Sequence, residues 1–357
     1  MQNQGDSSRR RFLGGMAGAL AVAGATPAVA VAGATPARAV APSGAAIDEQ
    51  VLARAVARAR GLDQLHSLVV GHRGTVVFAE AFRGPGLTVP ANIKSASKTL
   101  IAALVGIAID RGLLEGPAQL VAPLLDGLVP ASADPRVHAI TIDHLLTMRA
   151  GLERTSGANY GQWVSSANWV SFILSRPFID EPGGRMLYST GSYHLLAAVL
   201  TRVTGESVLA LARDWLGDPL DIEVPPWTRD PQGIYMGGNN MALAPTALFR
   251  FGEMARQGGV WDNQRVLSEA WIADSWIART RSPFSGDDYG YGWFAAEAGG
   301  AAVRYARGYG GQMLYVVPDR ELTVAVTSDP SLPARSDGYV GDLRAMLAED
   351  IIPAVSV

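Results

Sequence analysis

The 357-residue sequence contains no cysteine. Disulfides, thiol catalysis and cysteine-held metal sites are therefore excluded. Lysine is nearly as scarce. Of 30 basic residues 28 are arginine, and the only two lysines, Lys94 and Lys98, lie four positions apart. The five histidines, His66, His72, His138, His144 and His194, show no H-E-x-x-H or similar ligand spacing,. The acidic stretch "GDDYG" at 286–290 lacks the alternating ligands of a calcium loop,. No dinucleotide or phosphate-loop fingerprint occurs, so no metal and no cofactor is expected. Excess positive charge is absent as well. A formal charge of −3 leaves no electrostatic footprint for nucleic acid or an anionic membrane,.

The N-terminus is different in kind. "SSRRRFLGG" sets Arg9, Arg10 and Arg11 before Phe12 and Leu13, a pattern similar to a twin-arginine export signal,. A weakly apolar Ala/Gly/Val run follows, ending in the small-x-small site Ala37-Arg38-Ala39,. Residues 1–39 are read as a signal peptide cleaved after Ala39, and the protein as periplasmic or secreted. Val40–Ala46 then reads as a linker. Beyond residue 39 there are 26 basic and 32 acidic residues, a formal charge of −6. No later run is apolar and long enough to span a bilayer.

The remaining chain, nearly half hydrophobic, can bury a substantial core,. Ile47–Leu62 has helical spacing of apolar residues. Leu65–Gly71 and Thr75–Phe82 are β-rich runs separated by "HRG", a hairpin signal. Helical or loop-like patterns fill Leu113 to about Leu243, clearest in "TIDHLLTM" and in "SYHLLAAVLTRVTG", which closes at Gly205. Further helices are expected at Pro245–Gln257, Glu269–Ala278 and Gly338–Ile352. Strands are expected at Tyr291–Glu297, Met313–Val317 and Leu322–Ser328. Strands at both ends with helices between imply an α+β fold. Its sheet lobe would comprise about 47–90 plus 244–357, with an inserted helical lobe at about 91–243 and a cleft at the junction.

Both lysines sit in "NIKSASKTLIAALVGIAIDRG" at 92–112. Ser95 and Lys98 form an S-x-x-K pair at the start of a helix whose apolar residues cover every side. A helix N-terminus offers free N–H groups and positive potential to a developing anion. A lysine three residues on shares the serine's face, and burial favours its neutral, proton-accepting form. Ser97 is the rival nucleophile, but it points about 100° away around the turn. Lys94 reads as a rim charge. Tyr188, after the Gly-rich turn in "PGGRMLYSTGSYHLL", is a candidate for second proton handling or for packing. Gly308-Tyr309-Gly310-Gly311 marks either a turn or a place where a ligand or backbone comes close.

The order Ser95-x-x-Lys98, Tyr188-Ser189-Thr190, then Gly308–Gln312 before "LYVVPDRELTVAV" resembles the serine β-lactamase and penicillin-binding-protein superfamily. The flanks "ITIDHLLTMRAGL", "GGNNMALAPTALFRFGEMARQGGVWD" and "YGYGWF" resemble its class C-related branch of esterases and 6-aminohexanoate-dimer hydrolases. The resemblance implies a β-lactamase/transpeptidase-like fold, with an antiparallel sheet flanked by helices. It makes Ser95 the acylated nucleophile, Lys98 its base and Tyr188 the proton relay. The backbone N–H groups of Ser95 and Tyr309 would form the oxyanion hole, and Gly308, Gly310 and Thr190 would line the substrate. "TSGANYGQWVSSANW" resembles the substrate-capping region of the same branch, which adds Tyr160 and Trp163 as substrate contacts; read from the residues alone, Tyr160, Trp163 and Trp169 favour packing instead. Two positions depart from the superfamily pattern: Thr190 replaces the Y-x-N asparagine, and Ala306 stands at the K-T-G lysine, with Arg304 and Arg307 the nearest replacement charges. The expected activity is hydrolysis of a small ester or amide. The alternatives are a β-lactamase or D-Ala-D-Ala carboxypeptidase, or a non-catalytic penicillin-binding sensor.

Overall fold

The structure, a computed structural model, describes residues 47–355. The leader-like segment 1–39 and the linker Val40–Ala46 lie outside the described residues. Helix α1 (Glu49–Gly61) is capped by Asp48, whose carboxylate accepts from the Gln50 and Val51 N–H groups, and it buries Leu52, Ala55 and Ala59. The hairpin follows as β1 (Leu65–His72) and β2 (Thr75–Ala81). Arg73 (φ 51°) and Gly74 (φ 80°) both adopt left-handed backbone, as a two-residue hairpin turn requires,.

Six more strands come from the far end of the chain: β3 (Thr280–Arg281), β4 (Asp288–Tyr289), β5 (Phe294–Ala298), β6 (Ala301–Gly308), β7 (Gln312–Val317) and β8 (Leu322–Ser328). Together they form one antiparallel sheet ordered β2-β1-β8-β7-β6-β5-β4-β3. The first and last strands in sequence thus become neighbours, with Leu68 opposite Val326 and Val70 opposite Val324. All residues of β7 and β8 are buried, which is why their sequences run apolar without alternation.

Between the two strand groups the chain is helical. In α2 (Ser97–Asp110) every residue from Ser97 to Ala108 is buried. Each buried Leu, Ile or Val there contributes roughly 1.5–3 kcal/mol relative to exposure, so the helix is fixed by its surroundings on all sides. Gly112 (φ 71°) ends it, as the sequence suggests,. Helix α3 (Thr190–Thr204) packs on α2 and stops at Gly205 in left-handed conformation (φ 73°). Helix α4 (Pro245–Arg256) lies across β1, β7 and β8, while α5 (Tyr339–Met346) packs beside α1.

Strand β6 was not anticipated. Its sequence, "AAVRYARG", is poor in β-branched residues, and its pairing partners rather than its own propensity make it a strand,.

Candidate active site

The turn that carries Ser95 is a single 3-10 turn, Lys94–Ala96, immediately before α2. Lys94 occupies left-handed backbone (φ 50°), which a side chain adopts only at a cost of about 1 kcal/mol,. Two side chains hold that turn. Asn92 Oδ1 accepts the Lys94 N–H at 2.8 Å, and Ser97 Oγ donates to the Lys94 carbonyl while accepting the Met241 N–H at 3.1 Å. Ser97 is fully buried and both its hydrogen-bonding roles are used. It ties the turn together, whereas Ser95 remains partly exposed.

Lys98 is 2% exposed. Its Nζ lies 3.0 Å from Ser95 Oγ, 3.3 Å from Thr190 Oγ1 and 2.6 Å from the Gly238 carbonyl oxygen. No carboxylate lies within ion-pair distance among the described residues. Desolvation alone lowers its pKa from 10.5 to about 7,. The partner set suits a neutral amine: the Gly238 carbonyl can only accept, so two N–H bonds go to Gly238 and Thr190. The lone pair is then left facing the Ser95 hydroxyl. Gly238 has to be glycine. It sits at φ 76°, and a Cβ there would come within 2.8 Å of Lys98 Cγ.

Tyr188 lies two residues before α3, ahead of the extended Ser189, with its ring centroid 5.0 Å from Lys98 Nζ. Burial pushes its phenol above the usual value near 10, against smaller opposing effects from the Ser95 hydroxyl and the Arg307 guanidinium. It is therefore a phenol at neutral pH. Thr190 opens α3 and offers Lys98 an acceptor. The helix lacks a cap from its own Ser189, so Ser156 Oγ takes the Thr190 N–H at 2.9 Å and Thr155 Oγ1 takes the Gly191 N–H at 2.9 Å,.

Gly308 ends β6 directly against this turn, and a Cβ there would stand 2.2 Å from the Ile93 carbonyl oxygen. Only glycine lets the strand end lie so close to the segment bearing Ser95. Tyr309 follows, with its side chain exposed. Gly310 (φ 81°) turns toward the backbone of Asp329, where a Cβ would meet the carbonyl oxygen at 2.5 Å, so glycine is needed there for the turn.

Trp163 leaves the expected substrate set. It is fully buried, donates to the Trp169 carbonyl at 3.3 Å and packs edge-on against His194. Its indole fills the helical core because that core needs a large apolar body with one satisfied N–H. Tyr160 reaches the neighbourhood, with its hydroxyl accepting from Asn239 Nδ2 at 3.1 Å. Of the candidate replacement charges, Arg304 lies in a groove with Trp276, Asp287 and Arg344 at the β5 side of the sheet. Arg307 is tied to Ser336 Oγ and the Ala334 carbonyl.

Several residues of this neighbourhood were not singled out from sequence. Gly238 acts through its carbonyl, a group that every residue type carries. Thr155 and Ser156 belong to an ordinary Ser/Thr-rich loop, although a hydroxyl pair opposite a helix without its own cap is a physical signal in hindsight. Phe284, 61% exposed on the β3–β4 connection, meets the Tyr188 ring edge-on at 6.3 Å.

The sheet built from both chain ends, the helical insertion and the Ser95 turn at their junction define a β-lactamase/transpeptidase-like protein. A family model described as Beta-lactamase matches residues 65–348, and the chain belongs to that family. Solved structures share the fold at low identity. EstCE1, a hydrolase with promiscuous acyltransferase activity, matches with TM-score 0.70 and 19% identity, over 84% of this chain and 99% of that one. A penicillin-binding protein homologue from Caulobacter crescentus gives TM-score 0.69 and 17% identity, over 88% and 99% of the respective chains. A Bacillus anthracis protein assigned as a 6-aminohexanoate-dimer hydrolase gives TM-score 0.69 and 16% identity, over 81% and 79%. At such identities the likeness is one of fold.

Proposed function

We propose that this protein hydrolyses a small ester or amide through an acyl-enzyme on Ser95, without a cofactor. The observation that carries the reading is the buried, unpaired Lys98, whose amine is half neutral near pH 7 and lies 3.0 Å from Ser95 Oγ,.

The Ser95 hydroxyl gives its proton to Lys98 Nζ as Oγ bonds to the substrate carbonyl carbon. The displaced electron pair rests on the carbonyl oxygen, which the N–H groups of Ser95 and Tyr309 receive. Collapse expels the alkoxide or amine nitrogen, which takes a proton from Tyr188 while Lys98 returns one to Tyr188. Water then attacks the Ser95 ester, losing a proton to the Lys98–Tyr188 pair, and that pair reprotonates Ser95 Oγ as the acid leaves. Each oxyanion-hole donor in such sites is worth on the order of a hundredfold or more in rate.

Ala306, buried on β6, supplies no ammonium for a β-lactam carboxylate, which favours ester or amide over β-lactamase or carboxypeptidase chemistry. The leader-like residues 1–39 support action outside the cytoplasm. The test is 4-nitrophenyl butyrate turnover by the protein and its Ser95→Ala variant, with mass spectrometry of the trapped acyl-enzyme. Loss of turnover in the variant and an acylated Ser95 peptide are expected. Equal rates in both proteins would overturn the assignment. A stable penicillin adduct without hydrolysis of any ester would favour the sensor.

A further inference from the structure

His194 lies one turn into α3 and is fully buried, edge-on to Trp163 and Trp169 with ring centroids 5.7 and 5.3 Å away. An apolar side chain would fill that space without needing partners. The imidazole instead spans two polar groups of the segment 227–241. Its Nδ1 stands 3.4 Å from the Gly237 backbone nitrogen, and its Nε2 3.1 Å from Asp230 Oδ2. A backbone N–H can only donate, so Nδ1 is the acceptor and Nε2 carries its proton toward the carboxylate.

The Asp230 side chain is equally enclosed. Its Oδ1 accepts the Gln232 and Ile234 N–H groups at 2.9 and 2.8 Å, so the carboxylate gathers this bend and aims the imidazole from it. At the other end Gly237 lies flat on α3: a Cβ there would stand 2.0 Å from the Tyr193 carbonyl oxygen. Gly238 is the next residue, and its carbonyl oxygen is the nearest partner of Lys98 Nζ at 2.6 Å. A continuous line of contacts thus runs from Asp230 through His194 and the two glycines to the amine. No step of the mechanism above uses the carboxylate or the imidazole.

We propose that His194 and Asp230 are positioning residues for the base, fixing the Gly237–Gly238 segment so that the Gly238 carbonyl turns the lone pair of Lys98 toward Ser95. The inference rests on the serine-hydrolase reading and deepens it. Three substitutions separate this role from packing. His194→Gln can still donate to Asp230 but offers the Gly237 N–H no acceptor at the place of Nδ1. His194→Asn keeps an acceptor near that place. Asp230→Asn keeps the shape of the native side chain. Its oxygen can serve the Gln232 and Ile234 N–H groups, and its amide then presents an N–H to Nε2. That drives the imidazole proton to Nδ1, against the Gly237 N–H.

The test combines 4-nitrophenyl butyrate turnover with the proton–carbon correlation spectrum of protein isotopically labelled at lysine Cε, in which Lys94 and Lys98 are the only lysines. In the unaltered protein the two ε-protons of Lys98 should differ in shift, because the side chain is held in one rotamer. In His194→Gln and Asp230→Asn they should converge, while kcat falls about tenfold or more and KM stays within about twofold. His194→Asn should keep more of both. Variants that melt lower yet keep kcat and the split Lys98 signals would show packing alone and overturn the proposal, leaving the hydrolase intact. Should no form turn over the ester, the lysine spectrum decides. Convergence in both variants supports the hold on Lys98 even where the hydrolase reading fails, and an unchanged split overturns it. Histidine nitrogen spectra of the unaltered protein serve where a variant does not fold: a proton on His194 Nε2 supports the proposal, and one on Nδ1 overturns it.

Discussion

The Gly238 carbonyl oxygen stands 2.6 Å from Lys98 Nζ, nearer than Ser95 Oγ at 3.0 Å. The closest partner of the proposed base is therefore a backbone group 140 residues away, and it orients the amine without neutralising it by charge. Removing the restraint is expected to misdirect the amine rather than delete it. In Gly238→Ala the new Cβ would press on Lys98 Cγ and on Tyr193 Cβ, at a backbone angle that disfavours alanine. Activity on a butyrate ester should fall at least about tenfold. Thermal unfolding should report a loss of roughly 1–3 kcal/mol. Full activity would mean that Gly238 does not position the base.

The pH profile follows from two opposite shifts. Lys98 becomes neutral above about pH 7, while Tyr188 holds its proton beyond the ordinary phenol range. The rate kcat/KM is expected to rise through pH 7 and level off without a descending limb until pH 10 or above. A limb rising only near pH 10 would show that Lys98 keeps its ordinary basicity and is not the base.

Stability carries the same signature. Unfolded, Lys98 binds its proton up to about pH 10.5; folded, it releases it above about 7. Below pH 7 both states are protonated and the fold bears the whole cost of the buried charge. Between these values the unfolded state binds more protons, so stability rises with pH. Lys98→Met removes that titration. Its advantage over the natural protein should be largest below pH 7, at most on the order of 5 kcal/mol, and should fade toward pH 10. Urea melts at pH 6, 8 and 10 measure it, and an advantage independent of pH would contradict the account.

Ser97 and Ser95 separate by consequence. Ser97→Ala leaves the buried Met241 N–H without its acceptor and frees the Lys94 carbonyl, a loss of about 1–3 kcal/mol by denaturant melts,. Acylation should still be found on the peptide containing Ser95. An acyl group that vanishes in Ser97→Ala while the melt is unchanged would reverse the two roles.

Much of this was legible in the sequence, and for identifiable reasons. The hairpin at Arg73-Gly74, the stop of α2 at Gly112 and the stop of α3 at Gly205 are local events, set by residues that accept left-handed backbone. The S-x-x-K pair stood out because lysine is almost absent elsewhere. Tyr188 and Thr190 arrived near Lys98 in the expected order. Strand β6 was missed because its neighbours impose its conformation. Gly238 was missed because a carbonyl has no residue signature. Trp163 joins the substrate set only through the likeness of its loop to a capping region; the packing alternative holds, because a tryptophan in a loop-like run looks the same whether it faces a cleft or, as here, closes a core against His194.

The surroundings of Lys98 have a consequence for how activity first arises. Its amine is desolvated only when Thr190, 92 positions on, and Gly238, 140 positions on, have closed around it. Pairings so distant in sequence are slow to form, because the intervening chain must be gathered first. Until then the lysine is an ordinary ammonium and Ser95 an ordinary alcohol. Reactivity should therefore appear late in refolding, after helix content and bulk compaction are regained, so that a nascent or damaged chain is chemically silent until its topology is complete.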